Sequence, residues 1–335
     1  MSKVLPVAEA QTMACDVLTA NRSSAANAAI VARALVAAEL DGIGSHGLSR
    51  LPAYAGQAAC GKVDGFAEPE MTITGAGAAR VDARCGFAFP ALAIALETAR
   101  ERAAAAGIAA VAVANSHHCG VAGHHVEWLA GRGLVALLFA NTPAAIAPWG
   151  GERASFGTNP IAFAAPRADG RPPLVIDLSL SKVARGRIML AKQRGEAIEP
   201  GWALDAHGQP TTDAEAALAG TMVPLGDAKG AALALMVEIL AATLTGSQHA
   251  FEASSFLDAE GAPPRVGQLV VAISPEAFGG AGFAARCEHL IGHVLGQRGT
   301  RLPGARRLET RARRIREGIP VDDGLLADLQ RLRQV

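Results

Sequence analysis

The chain has 335 residues, half of them hydrophobic, 19% charged and 4% aromatic. Lysine plus arginine equals aspartate plus glutamate, 31 against 31, so no overall field draws the protein to nucleic acid or to an anionic membrane. High apolar content at zero net charge excludes intrinsic disorder. The length exceeds the ~250–300 residues at which one core stops growing, so two or three domains or subdomains are expected.

The first seven residues, MSKVLPV, are too short and too polar for the core of a signal peptide. The longest apolar stretch, 230–245, is interrupted by Glu238 and falls short of the ~20 residues that span a bilayer. Cys15, Cys60, Cys85, Cys119 and Cys287 are scattered, with no CxxC pair. They read as thiols of a reducing cytoplasm, not as a disulfide framework or a zinc knuckle.

Residues 8–40 read as helices, with Ser24 as an N-cap and Ile30, Val31, Ala34, Leu35 and Ala38 as one apolar stripe ending at Asp41-Gly42. Short strands with Gly turns follow over 62–88, for example 71–74. A helix spans 90–106 and closes at Gly107. Strands are expected at 108–114, 134–140, 161–165, 174–178 and 269–273, and helices at 229–244 and 275–295. The strands from 108 to 178 are joined by loops rich in Gly, Pro, Asn and Thr rather than by regular helical crossovers. That pattern predicts an α+β fold over a doubly wound parallel sheet. The chain divides into an N-terminal helical segment (1–60), a mixed connecting region (61–115), a binding domain (116–298) and a C-terminal Arg-rich helical segment (299–335). The arginines of that last segment read as a solvated helix face or, more sharply, as a local anion site.

Four constellations bear on chemistry. Gly75-Ala76-Gly77 begins like a dinucleotide fingerprint, but the third Gly is absent and Val81-Asp82 continues as strand, so it reads as a hairpin turn. In the segment from Asp41 to Arg50, glycines surround Ser45-His46. Histidine exchanges protons near neutral pH, and Arg50 is a natural fork for a carboxylate. The stretch from Asn115 to His125 packs four His and one Cys into nine residues. The spacing fits no zinc pattern, so the expectation is no metal and a Gly-rich loop turned toward a phosphate. Small polar clusters at Asn141-Thr142, Gly157 to Pro160, Asp177 to Ser179, Ala184 to Gly186 and Lys229-Gly230 end apolar runs. Lys229 near a helix start is unusual unless an anion binds there.

Six segments in order resemble the type-2 malate/L-lactate dehydrogenase family: Ser45 to Arg50, Asn115 to His118, Pro148 to Gly151, Gly157 to Pro160, Gly201 to Asp205 and Pro224 to Gly230. That family also holds sulfolactate, ureidoglycolate and 2,3-diketogulonate enzymes and the Δ1-piperideine-2-carboxylate/Δ1-pyrroline-2-carboxylate reductases. The resemblance implies a non-Rossmann NAD(P)-binding domain on a largely antiparallel seven-stranded sheet, with helical subdomains around it, in a homodimer. It implies His46 as the catalytic acid/base with Ser45 as its partner. It assigns substrate contacts to Arg50, Thr158, Arg185 and Gly186. Cofactor contacts fall on His117, His118, Cys119, Gly120, Val121, Asp177, Leu178, Ser179, Lys229, Gly230, Arg301, Gly304, Arg306 and Arg307. Some reductases of the family place a carboxylate after the Arg-Gly pair. Arg187 stands there in this chain, so a relay acid would have to be another residue, such as Asp41.

The implied reaction is hydride transfer between NADPH or NADH (NADPH placed first) and C2 of a small carboxylate substrate, with His46 as proton donor. The segment 180–245 resembles the cyclic 2-imino acid and sulfolactate branches. A cyclic 2-imino acid is placed first, and an open-chain 2-hydroxy acid (malate, L-lactate or sulfolactate) is the alternative. A non-catalytic dinucleotide- or metal-binding protein is a third reading. Intact Ser45, His46 and Arg50 speak against it.

Overall fold

The structure, a computed structural model, describes residues 2–334. The chain opens with β1 (Ser2–Leu5), α1 (Val7–Ala20), α2 (Ala25–Leu40) and α3 (Leu51–Ala59). Then come β2 (Glu70–Gly75), β3 (Ala78–Asp82), α4 (Ala88–Ala106), β4 (Ile108–Ser116), α5 (Ala122–Ala130) and β5 (Val135–Ala140). Strands β6 (Ile161–Ala165) and β7 (Leu174–Leu178) precede α6 (Arg185–Arg194), β8 (Ala203–Leu204), β9 (Pro210–Thr211), α7 (Ala214–Ala219), β10 (Thr221–Met222) and α8 (Ala228–Glu238). The chain closes with β11 (Val266–Ile273), α9 (Pro275–Gly279), α10 (Phe283–Leu295), α11 (Ala305–Glu317), β12 (Ile319–Asp322) and α12 (Asp323–Leu332).

The central sheet has seven strands in the order β2-β3-β4-β11-β5-β6-β7. It is mixed. Strands β3 and β4 run parallel, and the other neighbours are antiparallel. A parallel pair needs a long crossover, and α4 supplies it. The α+β class and the seven strands agree with expectation; the sheet expected to be largely antiparallel is mixed, with β3 and β4 parallel. Gly75 to Ala78 turns the β2–β3 hairpin, as the missing third glycine implies.

Local chemistry explains most element ends. Ser24 Oγ accepts the amide of Asn27 at 3.2 Å and starts α2. Gly107, at φ +80°, ends α4 in a conformation that β-carbon-bearing residues resist. The expected helix over 229–244 is α8 continued by a π-helical turn, Ile239–Thr243. The expected helix over 275–295 is broken at Gly279 to Gly282 into α9 and α10. Helix α3 falls within the expected N-terminal helical segment, whereas α5 lies where a loop was expected.

Three apolar clusters hold the molecule together. Small aliphatic side chains of α4 and α5 cover one face of the sheet, with Ala91, Leu92, Val126 and Leu129 buried. The other face packs on α6, α7 and α8 through Ile188, Ala217, Ala234 and Val237. A third core joins α1, α2 and α3 to β12 and α12 through Leu18, Leu35, Tyr54, Ile319 and Leu329. The antiparallel pair β1–β12 ties the two chain ends into that core.

Candidate active site

Helix α2 stops at Leu40, and two single 3₁₀ turns, Gly44–His46 and Leu48–Arg50, carry the chain into α3. This short path presents three polar side chains. Ser45 Oγ lies 3.0 Å from His46 Nδ1. Arg50 donates from Nε to the Ser45 carbonyl at 2.7 Å, and its guanidinium has no ion-pair partner among the described residues. The imidazole of His46 is pushed down to about 4 by burial and by the nearby charges of Arg50 and His124. At neutral pH it is an unprotonated base.

Behind His46 lies a pair that sequence reading did not join. The His118 ring is 5.2 Å from the His46 ring, and the buried Tyr54 hydroxyl meets His118 Nδ1 at 2.6 Å. Tyr54 is the chain's single tyrosine, one helical turn beyond Arg50. That spacing was the available clue.

The His-rich stretch spreads its imidazoles in different directions. His117 is buried against Tyr54, Phe87 and Phe256, with both ring nitrogens unpartnered. His124 Nε2 lies 2.7 Å from Asp41 Oδ2. His125 Nε2 meets the Cys119 carbonyl at 2.8 Å. Burial holds His117 down to about 3 and His125 to about 4, and pushes the Cys119 thiol up to about 12. Among the described residues, no group of three His, Cys, Asp or Glu converges to hold a metal ion. The expected Gly-rich loop is shorter than anticipated, because α5 begins at Ala122. The Gly123 amide in its first turn already donates to Asp177 Oδ2 at 2.7 Å.

The remaining expected residues fall in linked groups. Thr158 donates its amide to Thr142 Oγ1 at 2.9 Å, and its carbonyl accepts the Leu180 amide at 2.8 Å. Leu180 in turn accepts from the Leu225 amide. Gly230 packs so tightly that a β-carbon there would lie 1.8 Å from the Leu225 carbonyl oxygen. Thr158, Leu180 and Leu225 are thus linked in series by backbone hydrogen bonds, with Gly230 packed on Leu225. The 301–307 turn lines a cavity of about 300 Å³, and Gly304 sits beside the Val175 carbonyl, two residues before Asp177 on β7. Arg185, first residue of α6, donates to the Leu218 carbonyl at 3.1 Å, while Gly186 faces open space.

Two expectations change. Arg307 pairs with Asp41 at 2.7 Å and with Glu127 at 2.8 Å, so its guanidinium is already committed. Asp41 supplies no relay to Ser45-His46; its carboxylate is held by His124, Arg307 and Arg311. Arg187, which follows the Arg185-Gly186 pair, lies over the Trp202 ring at 4.7 Å. Among the described residues no carboxylate hydrogen-bonds to Ser45 or His46.

An unprotonated imidazole paired with a serine hydroxyl, beside an unpaired guanidinium, is the layout of a site that moves a proton on an anionic substrate. A family model described as malate/L-lactate dehydrogenase matches residues 5–330. The chain belongs to this family of NAD(P)-dependent oxidoreductases. It is 54% identical over 314 residues, 94% of this chain and 93% of the other, to the (2R)-3-sulfolactate dehydrogenase (NADP(+)) of Chromohalobacter salexigens. It is 40% identical to the Δ1-pyrroline-2-carboxylate/Δ1-piperideine-2-carboxylate reductase of Pseudomonas putida, covering 98% of this chain and 96% of that one. The solved Δ1-piperideine-2-carboxylate reductase of Pseudomonas syringae superposes with a TM-score of 0.93 at 38% identity, covering 98% and 99% of the two chains.

The residues present fit a dinucleotide. Arg301 and Arg306, beside the 301–307 cavity, and Lys229, in the first turn of α8, have no ion-pair partner among the described residues, and this is donor chemistry that a diphosphate or a 2′-phosphate takes. When bound, NAD(P) supplies or takes up the hydride. Among the described residues no helix is long and apolar enough to cross a membrane.

Proposed function

We propose that this enzyme interconverts a small 2-hydroxy acid carrying a second anionic group, of the 3-sulfolactate class, with its 2-oxo acid, using NADP(H). The observation that carries the choice is the 54% identity to a sulfolactate dehydrogenase, against 40% to a cyclic imine reductase over a similar share of the chain. This reverses the order that the 180–245 segment alone suggests. The site chemistry is compatible with it. An imidazole unprotonated at neutral pH is ready to accept the proton of a C2 hydroxyl, and the Arg50 guanidinium, without an ion-pair partner among the described residues, favours an anionic substrate.

In this reading Arg50 holds the substrate carboxylate in a two-pronged grip and so fixes which face of C2 is presented. Ser45 keeps the His46 ring in place through Nδ1, leaving Nε2 for the substrate hydroxyl. Binding of the carboxylate at Arg50 offsets the charge that depresses His46, so proton uptake and substrate binding reinforce each other. Thr158, Arg185 and Gly186 complete the substrate side. His117, His118, the 119–121 segment, Asp177 to Ser179, Lys229-Gly230 and the 301–306 turn line the cofactor side. Exposed Leu235, Ile239 and Leu244 on and beyond α8 support a homodimer, and the scattered thiols support a cytoplasmic location.

The cyclic imine remains the second reading, favoured by the TM-score of 0.93 to the P. syringae reductase. Initial rates separate the two. NADP(+) with (R)-3-sulfolactate should turn over far faster than NADPH is consumed with Δ1-piperideine-2-carboxylate. The reverse ranking replaces the hydroxy acid with the imine and leaves His46 and Arg50 in the same roles.

A further inference from the structure

Glu39 lies on α2 just before its end and is only 7% exposed, yet it has no part in the proton transfer described above. Carboxylates are seldom buried without partners. Here the two oxygens are engaged in different directions. Oε1 accepts the Leu48 amide at 2.9 Å, and Oε2 lies 3.5 Å from Arg314 Nη1. The same guanidinium donates to the Glu39 carbonyl. The loop between closes directly over the carboxylate: a β-carbon at Gly47 would come within 2.2 Å of Oε1, and one at Gly44 would lie 3.7 Å from both oxygens. Arg314 sits on α11 at helical spacing from Arg307 and Arg311, which grip Asp41 two residues past Glu39.

We propose that Glu39 is a positioning residue for the reaction: its carboxylate, anchored by Arg314, holds the 44–48 loop in the one conformation that presents Ser45, His46 and Arg50. The inference rests on the reading of His46 as the proton-transfer group. Without the acceptor, the amide of the fully buried Leu48 loses its partner and Gly47 stands over a void, so the loop gains alternative conformations. Misplacement of a reacting group by about 1 Å can cost up to ~10²-fold in rate.

The test compares Glu39→Ala, Glu39→Gln, Arg314→Met and His46→Ala by steady-state kinetics and by amide hydrogen exchange of residues 44–50. Gln retains an oxygen for the Leu48 amide at the same reach. Glu39→Ala should lose about tenfold or more in kcat with little change in cofactor KM, and exchange in 44–50 should quicken well below the unfolding temperature. Glu39→Gln should keep kcat within about threefold and keep the loop protected. Should Glu39→Ala fail to fold, faster loop exchange in Arg314→Met supports the proposal and unchanged exchange overturns it. Parent-like kcat and exchange in Glu39→Ala overturn it, as does an equal loss in the Ala and Gln variants. Full activity in His46→Ala removes the reading of His46 instead, and leaves the exchange result on the loop to stand by itself.

Discussion

Burial together with the charges of Arg50 and His124 leaves His46 unprotonated until about pH 4, and this sets the direction of two pH profiles. For oxidation, kcat/KM reports the base in the free enzyme. It should stay flat from about pH 8 to 5 and fall only as the imidazole takes up a proton. For reduction the imidazolium is required, so kcat/KM should decline with rising pH across the same range. An oxidation limb centred near 6.5 would mean that the site does not depress His46. His46→Ala should lose ~10²–10⁴-fold in kcat while fluorescence titration with NADPH shows unaltered cofactor binding. Arg50→Lys should raise the KM of the acid by about tenfold or more, because an ammonium cannot reproduce the two-pronged grip; an unchanged KM would remove Arg50 as the anchor. Ser45, His46 and Arg50 are legible in sequence because they fall within six consecutive residues with three glycines nearby. The Tyr54–His118 pair is not, since 64 residues separate its members.

At the scale of elements, the arginine-rich α11 is the clearest case of a pattern with more than one meaning. Arg307, Arg311 and Arg314 face inward onto Asp41, Glu127 and Glu39, while Arg306, Arg313 and Arg316 face outward. Burial opposes ionisation of Asp41, but hydrogen bonds from Arg311 and His124 outweigh it and hold the carboxyl far below its ordinary value. Its contribution is therefore complete above about pH 4 and is lost as pH falls further. Asp41→Asn should cost about 3 kcal/mol, since it removes the buried carboxylate that pairs with the half-buried guanidinium groups of Arg307 and Arg311. In urea titrations the midpoint should drop at neutral pH, and the acid limb below pH 4 should flatten. A midpoint equal to the parent's would show that Glu127 alone satisfies both arginines. Helix α5 escaped sequence reading for a related reason. Its nine residues include Gly123 and two histidines, poor helix material by propensity. It forms because Val126 and Leu129 are buried on the sheet and Asp177 accepts an amide of its first turn.

For the whole molecule, the notable feature is how many imidazoles fold into places that keep them neutral. His46, His117, His118 and His125 are all held below the ordinary histidine value, with burial the largest cause in each. Each binds fewer protons folded than unfolded, so stability is greatest above about pH 6.5 and declines as pH falls toward 4. Thermal midpoints measured from pH 8 to 5 should fall steadily below about 6.5, well above the range in which carboxylates titrate. A midpoint constant to pH 5 would contradict that burial.

Much of this enzyme was determined locally. The small-aliphatic core, the helices α2 and α4, the strands of the sheet and the Ser45–Arg50 motif follow from periodicity, capping and composition, which act between near neighbours in the chain. Tertiary structure decided the rest. Which arginines bind inward, which strand pair runs parallel, and which tyrosine backs which histidine are settled by contacts across dozens to hundreds of residues. Desolvation belongs to the same class: whether a histidine is a neutral base or a solvated cation depends on what the folded chain packs around it, and no sequence neighbour carries that information.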